Sequence, residues 1–161
     1  MGRIMAIDYG RKRTGLAVTD EQQLIASPLT TVETARLMSY LDSYVQQHGV
    51  ERFVVGLAKR LSGQPSESAQ YIEPFVAALH KRYPLIPIDR VDERFTSKIA
   101  FQAMIDGGLS RSRRQDKALI DTVSAVLILQ SWMQSQEIKK QRAQAQSEAS
   151  QPINTKHTQS I

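Results

Sequence analysis

The chain has 161 residues, with 21 Lys and Arg against 16 Asp and Glu, a formal charge of +5, and no cysteine. That length suits one ordinary domain with a full core, and the missing cysteines exclude a disulfide framework, a thiolate metal site and a cysteine nucleophile. No apolar run is long enough to span a membrane, and Met1-Gly2-Arg3 reads as the approach to a strand rather than a signal peptide, so a soluble, cytoplasmic protein with no membrane partner is expected. From Lys139 onward there are four basic residues and one acidic residue, leaving about +2 on the rest. Net charge alone therefore argues only weakly for a polyanionic partner.

In chain order, Arg3-Ile4-Met5-Ala6-Ile7 is a nearly continuous apolar run, the pattern of a strand buried on both faces. It ends in Asp8-Tyr9-Gly10. A tight basic loop, Arg11-Lys12-Arg13, leads into Thr14 to Thr19, a second strand pairing back on the first. Gly10 and Gly15 let something approach the backbone closely. Ile25-Ala26 to Thr31-Val32 forms a third strand, with Pro28 marking an edge or an irregularity. Thr34 to Gln47 has helical spacing and stops at His48-Gly49. Arg52 to Leu57 is another buried strand. Ser66 can cap a helix to about Arg82, which Pro74 would kink or restart. Pro84 to Val91 reads as a further strand ending at Asp92-Glu93, and Thr96 as the cap of a helix ending at Gly107-Gly108. Lys117 to about Glu137 is the longest helix, apolar on most sides from Leu119 to Met133 and hence placed in the interior.

The order is an antiparallel three-strand meander, then helix, strand, helix, strand, helix, helix. It predicts one α/β domain over residues 1–138 with a mixed five-stranded sheet, the later strands parallel, flanked by helices. Residues 139–161 are rich in Gln, Ser, Ala and Thr with almost no large apolar side chain, and a disordered tail is expected there.

Three acids stand out. Asp8 closes the first strand, Glu93 closes the last, and Asp121 lies one turn into the apolar helix. Sites in open α/β sheets form beyond the carboxyl ends of strands. The small Ser124 and Ala125 would let the long helix pack across the sheet and bring Asp121 there. Three converging carboxylates would repel one another. Hard divalent cations relieve this, and oxygen-only ligands suit Mg²⁺ or Mn²⁺. Two such ions can drive phosphodiester hydrolysis. Plainer readings stand beside this one. Asp8 can be a turn former, Asp92-Glu93-Arg94 a solvated strand end, and Lys117 a structural partner of Asp121. Arg111, Arg113, Arg114 and Lys117 can grip phosphates or simply be solvated. Tyr9 and Phe95 can stack on bases or pack in the core. His48, His80 and His157 show no catalytic spacing.

Asp8-Tyr9-Gly10 with Gly15, Val55-Gly56-Leu57, Asp92-Glu93-Arg94, and Lys117 through Asp121 to Ser124-Ala125 occur in one order over residues 3–135. As a set they resemble the YqgF family of Holliday-junction-resolvase-like proteins, whose bacterial members are named as pre-16S rRNA nucleases. The resemblance implies a ribonuclease H-like fold with Asp8, Glu93 and Asp121 as catalytic, metal-binding acids in a two-metal mechanism using Mg²⁺ or Mn²⁺. The reaction it implies is hydrolysis of structured RNA in 5′ maturation of 16S rRNA, leaving a 5′ phosphate and a 3′ hydroxyl. Arg11, Lys12, Arg13, Arg111, Arg113, Arg114 and Lys117 would contact nucleic acid. Branched DNA is the alternative substrate, and a monomer or weak homodimer the expected state. The chain departs from the family pattern after Leu57, where Ala58-Lys59-Arg60-Leu61-Ser62-Gly63 replaces a Pro and Asn-Met-Asp-Gly-like turn. Asp8-x-Gly10 with Gly15 also resembles the phosphate hairpin of actin-like ATPases, but a single domain lacks the second wall of that cleft. A non-catalytic RNA-binding or regulatory module remains a third class.

Overall fold

The computed structural model describes residues 2–57, 67–92 and 117–152, with backbone alone for 117–120. Its elements are β1 (Arg3–Asp8), β2 (Arg13–Thr19), β3 (Ala26–Glu33), a 3₁₀ turn (Thr34–Arg36), α1 (Leu37–His48), β4 (Val50–Leu57), α2 (Ala69–Arg82), β5 (Ile88–Asp92) and α3 (Lys117–Ala149). One sheet runs β3-β2-β1-β4-β5. β1–β2 and β2–β3 pair antiparallel, while β1–β4 and β4–β5 pair parallel. This is the mixed five-stranded sheet that the sequence implies. The helix expected from Thr96 to Gly108 and the basic loop after it lie outside the described residues.

β1 is central, and Ile4, Met5, Ala6 and Ile7 are all at most 1 % exposed, because helices cover both sides of the sheet. Side chains alternate between the faces. Met5, Ile7, Leu16, Phe53 and Val55 meet Leu37 and Leu41 of α1 and Ile72, Phe75 and Leu79 of α2. Ile4, Ala6, Ala17 and Val54 meet Ala125, Ile128, Leu129 and Trp132 of α3. β3 is the edge strand. Its ladder with β2 slips between Leu16 and Ala17, where Pro28 sits opposite Ala17; an edge slip is where a residue without an N–H is tolerated. Gly49 ends α1 at φ 73° with its N–H on the Val45 carbonyl, a conformation glycine adopts without a Cβ penalty.

Three expectations change. The Pro84–Pro87 stretch is a turn rather than strand, so β5 starts at Ile88; Pro84 and Pro87 have no N–H for a ladder. Pro74 lies inside a continuous α2. The carbonyl it leaves without a donor belongs to Gln70, and both residues are exposed where water can serve it. Finally, α3 is not an interior helix. It buries one stripe, Ser124, Ala125, Ile128, Leu129 and Trp132, against the sheet, while Gln130 and Ser131 face solvent. It also continues to Ala149, through residues expected to be disordered, and is almost entirely exposed beyond Met133. Ala, Gln, Lys, Arg and Glu there have high helix propensity, and the packed turns upstream have already met the nucleation cost.

Candidate active site

Asp8 is the last residue of β1, and alternation puts it on the same face as Ile4 and Ala6, the face α3 covers. Its cross-strand partner is Gly15, and Gly15 pairs in turn with Thr31 of β3. The amino-terminal part of α3 rests on this row. A Cβ on Gly15 would lie 2.1 Å from the Asp121 carbonyl oxygen and 3.0 Å from the Thr122 nitrogen. Only glycine permits that approach. The Thr31 and Thr122 hydroxyls, 2.5 Å apart, tie the same turn of α3 to the sheet. Asp8 and Asp121 are thus brought to one face at the carboxyl end of the central strand, where open α/β sheets carry their sites.

The glycines therefore serve the chain's own backbone. Gly15 admits α3, and a Cβ on Gly10 would lie 2.3 Å from the Arg13 carbonyl oxygen across the tight basic turn. That turn is held from β3 and the residue after it. The Thr34 N–H donates to the Lys12 carbonyl at 2.9 Å, its hydroxyl to the Gly10 carbonyl at 2.6 Å, and it meets the Thr14 hydroxyl at 2.9 Å. Arg11 and Lys12 project into solvent. Arg13 instead turns toward Asp121.

Its Nε lies 3.5 Å from Asp121 Oδ2, with the Asp121 side chain 27 % exposed. The contact is an ion pair without a hydrogen bond, and Arg13 Nε is buried with no hydrogen-bond partner among the described residues. Among the described residues the ion-pair partner of Asp121 is Arg13, 108 positions earlier, and the Lys117 side chain that the sequence offered for that part lies outside them. Oxygen-only donors suit a hard divalent ion, and a loose, partly exposed pair can yield to one. Asp8 and Asp121 accordingly fit Mg²⁺ or Mn²⁺.

Of the other sequence candidates, Glu93 follows directly on the end of β5 but lies outside the described residues, as do Arg111, Arg113 and Arg114 and the side chain of Lys117. Among the described residues no three acidic or histidine side chains form a metal-binding group. Tyr9 points away from the acids. Its ring stacks on Phe75 at 4.3 Å on the α1–α2 side of the sheet, so one of its faces is already engaged.

Sequence reasoning missed two devices. The Thr31–Thr122 pair spans 91 positions and leaves no local signal. Arg90 of β5 donates to the Val55 and Gly56 carbonyls at 3.3 and 3.1 Å and to Glu73 at 3.0 and 2.8 Å. It thereby fixes the end of β4 beside β1, and its hydrogen bonds hold the Glu73 carboxyl below the usual range. Arg90 sits among the charged residues of Ile88-Asp89-Arg90-Val91-Asp92, so the sequence carried no signal for it.

The family model described as RuvX, Holliday junction resolvase, matches residues 2–135. A protein of Christiangramia forsetii named "Putative pre-16S rRNA nuclease" is 53 % identical over 133 residues, covering 83 % of this chain and 98 % of the relative. One of the same name from Phocaeicola vulgatus is 54 % identical over 135 residues, covering 84 % and 97 %. Among solved structures, Thermus thermophilus RuvC in complex with a Holliday junction substrate superposes with a TM-score of 0.50 at 18 % identity, covering 83 % of this chain and 96 % of that one. At that identity the likeness concerns the fold, which is ribonuclease H-like.

Proposed function

The chain belongs to the RuvX family, and from that premise we propose that it is a divalent-metal-dependent nuclease that hydrolyses phosphodiester bonds of structured RNA in 5′ maturation of pre-16S rRNA. The observation that carries the proposal is the convergence of Asp8 and Asp121 across Gly15 at the end of the central strand. In this reading residues 1–138 are the nuclease domain and 139–161 an appendage.

Asp8, Asp121 and Glu93 would hold the metal. A bound divalent ion supplies a lowered pKa for the attacking water and charge compensation for the phosphodiester. The chain's own residues do the rest. Asp8 stands at the end of a rigid strand whose neighbours cannot shift, so its carboxylate is oriented before substrate arrives. Arg13 pairs with Asp121 at 3.5 Å and, where a metal held that carboxylate, would be available to a phosphate. Arg11 and Lys12 extend positive charge along the strand end, and Arg111, Arg113, Arg114 and Lys117 would complete the grip on the backbone.

The test is incubation of the purified chain with a precursor 16S rRNA fragment and with a four-way DNA junction, with and without Mn²⁺. Cleavage of the RNA that stops with Asp8→Asn is expected, a loss beyond the roughly 100-fold upper range for removing a mere outer contact of a metal ligand. Cleavage of the junction alone would transfer the proposal to a resolvase, which needs a dimer to cut two strands symmetrically. Silence on both, with tight RNA binding, would leave a binding module.

A further inference from the structure

On the sheet face opposite Asp8, a groove of about 480 Å³ opens between the 3₁₀ turn and α1 on one side and α2 on the other. That size falls within the roughly 300–1,000 Å³ of small-ligand sites. Its walls are aromatic and aliphatic, including Tyr9, Tyr71, Phe75, Leu37 and Met38, with Thr34 and Gln70 as the polar groups; among the described residues no charged one lines it. Tyr9 and Phe75 are stacked 15° from parallel, so the groove has a stiff aromatic wall. Tyr71 stands half-buried on α2, and the Arg11 guanidinium lies 5.5 Å from its ring centroid.

Two features say what this groove takes. An uncharged aromatic lining with two polar groups suits a flat, neutral, heteroaromatic ring rather than a phosphate or a carboxylate. The cations sit at one end instead, on the Arg11-Lys12-Arg13 turn, which Thr34 of the groove wall locks through Gly10 and Lys12. Tyr9 follows Asp8 directly in the chain and faces the other way. A nucleic-acid strand whose backbone follows the basic turn past Asp8 can therefore tuck a base around the end of β1.

We propose that the groove between Tyr9, Tyr71 and Phe75 binds an unstacked nucleobase of a single-stranded segment, while Arg11 and Lys12 hold the adjoining phosphates. The inference rests on the nuclease reading for its ligand. It deepens that reading by giving the chain a preference for substrates with an unpaired nucleotide next to the cleaved bond. Single-stranded segments are where bases can be splayed out and stacked on aromatic side chains.

The experiment uses the full chain in EDTA, so that binding is read without turnover. Its probes are a labelled single-stranded RNA of about eight nucleotides, within the usual site size, and an abasic oligomer of equal length and charge. The chain should bind the base-containing oligomer roughly tenfold more tightly. Tyr71→Ala should remove most of that preference and Tyr71→Phe should keep it. Ala78→Trp, which fills the groove mouth from the exposed side of α2, should remove it without opening the core. Arg11→Gln should weaken both oligomers and flatten their salt dependence. Equal affinity for the two oligomers, or a preference that survives Ala78→Trp, would overturn the proposal. A uridine monophosphate that binds as tightly as the oligomer would overturn it in favour of a free-nucleotide site. Cleavage of precursor rRNA by the same proteins in Mn²⁺ separates the two readings. Cleavage without base preference removes the groove alone, and base preference without cleavage removes the nuclease.

Discussion

The two faces of the sheet are built from different residues. The α1–α2 face is filled by Met5, Ile7, Leu16, Leu37, Leu41, Phe53, Phe75 and Leu79, large side chains that keep the helices a full layer away. Beneath the start of α3 the sheet carries Ala6, Gly15 and Ala17, and at Gly15 the helix backbone comes into direct contact with the strand. One face separates its layers to bury volume. The other draws them together, and there the Asp121 backbone meets the strand residue paired with Asp8. The small face trades apolar burial for proximity, which the proposed metal site would need and a core does not.

Substitutions on the two faces should therefore fail in different ways. Leu79→Ala, at a fully buried α2 position, should lower stability by about 2–5 kcal/mol in urea melts, with cleavage per folded molecule kept to within about twofold. Gly15→Ala should do the reverse. A methyl group 2.1 Å from the Asp121 carbonyl oxygen must push α3 off the sheet. The overpacking costs about 1–3 kcal/mol, but displacing Asp121 by an ångström should lower cleavage by about 100-fold. If Gly15→Ala lost stability but cleaved normally, the two faces would differ in packing and not in purpose.

A smaller effect sharpens the same contrast. Arg13→Gln removes the cation beside Asp121. Because that pair is partly exposed, Mn²⁺ affinity should rise by no more than about fivefold in calorimetric titrations, while cleavage falls for want of a phosphate contact. Movement of both quantities in one direction would contradict the role given to Arg13. The smallest effect belongs to the α1–α2 side, where Asp42 takes bidentate hydrogen bonds from Arg82 and one from Tyr83. These bonds hold the Asp42 carboxyl down to about 2 from its usual 3.8. A carboxyl depressed in the folded state stabilises above its unfolded pKa, and that stability is lost as the pH falls from about 3.8 toward about 2. Asp42→Asn should flatten the acid limb of the stability profile in that window and leave cleavage at neutral pH untouched.

Much of this architecture was legible in local pattern. The apolar runs around Ile4–Ile7 and Phe53–Val55 mark strands covered on both faces, and an acid that ends one of them is visible without a structure. Asp121 was legible because a carboxylate between apolar helix residues needs a partner. Its contact with Arg13 was not, since Arg13 lies on a strand 108 positions away. The purpose of Gly15 also lay beyond sequence reasoning. A glycine in a strand announces a close approach but not by whom, and here it is the backbone of Asp121. The tail was misjudged because two rules conflict at Lys140–Ala149. Its lack of apolar residues argues against packing, its composition argues for helix, and continuity with a docked helix lets propensity win.

The central claim is that Asp8 and Asp121, joined across Gly15, hold a divalent metal. Mn²⁺ binding to the wild-type chain, to Asp8→Asn and to Asp121→Asn, followed by electron paramagnetic resonance of the free ion, tests it without any substrate. The account predicts that the wild-type chain takes up Mn²⁺ and that each substitution weakens uptake by at least about tenfold while the fold is retained. Uptake by Asp121→Asn equal to that of the wild type would contradict it.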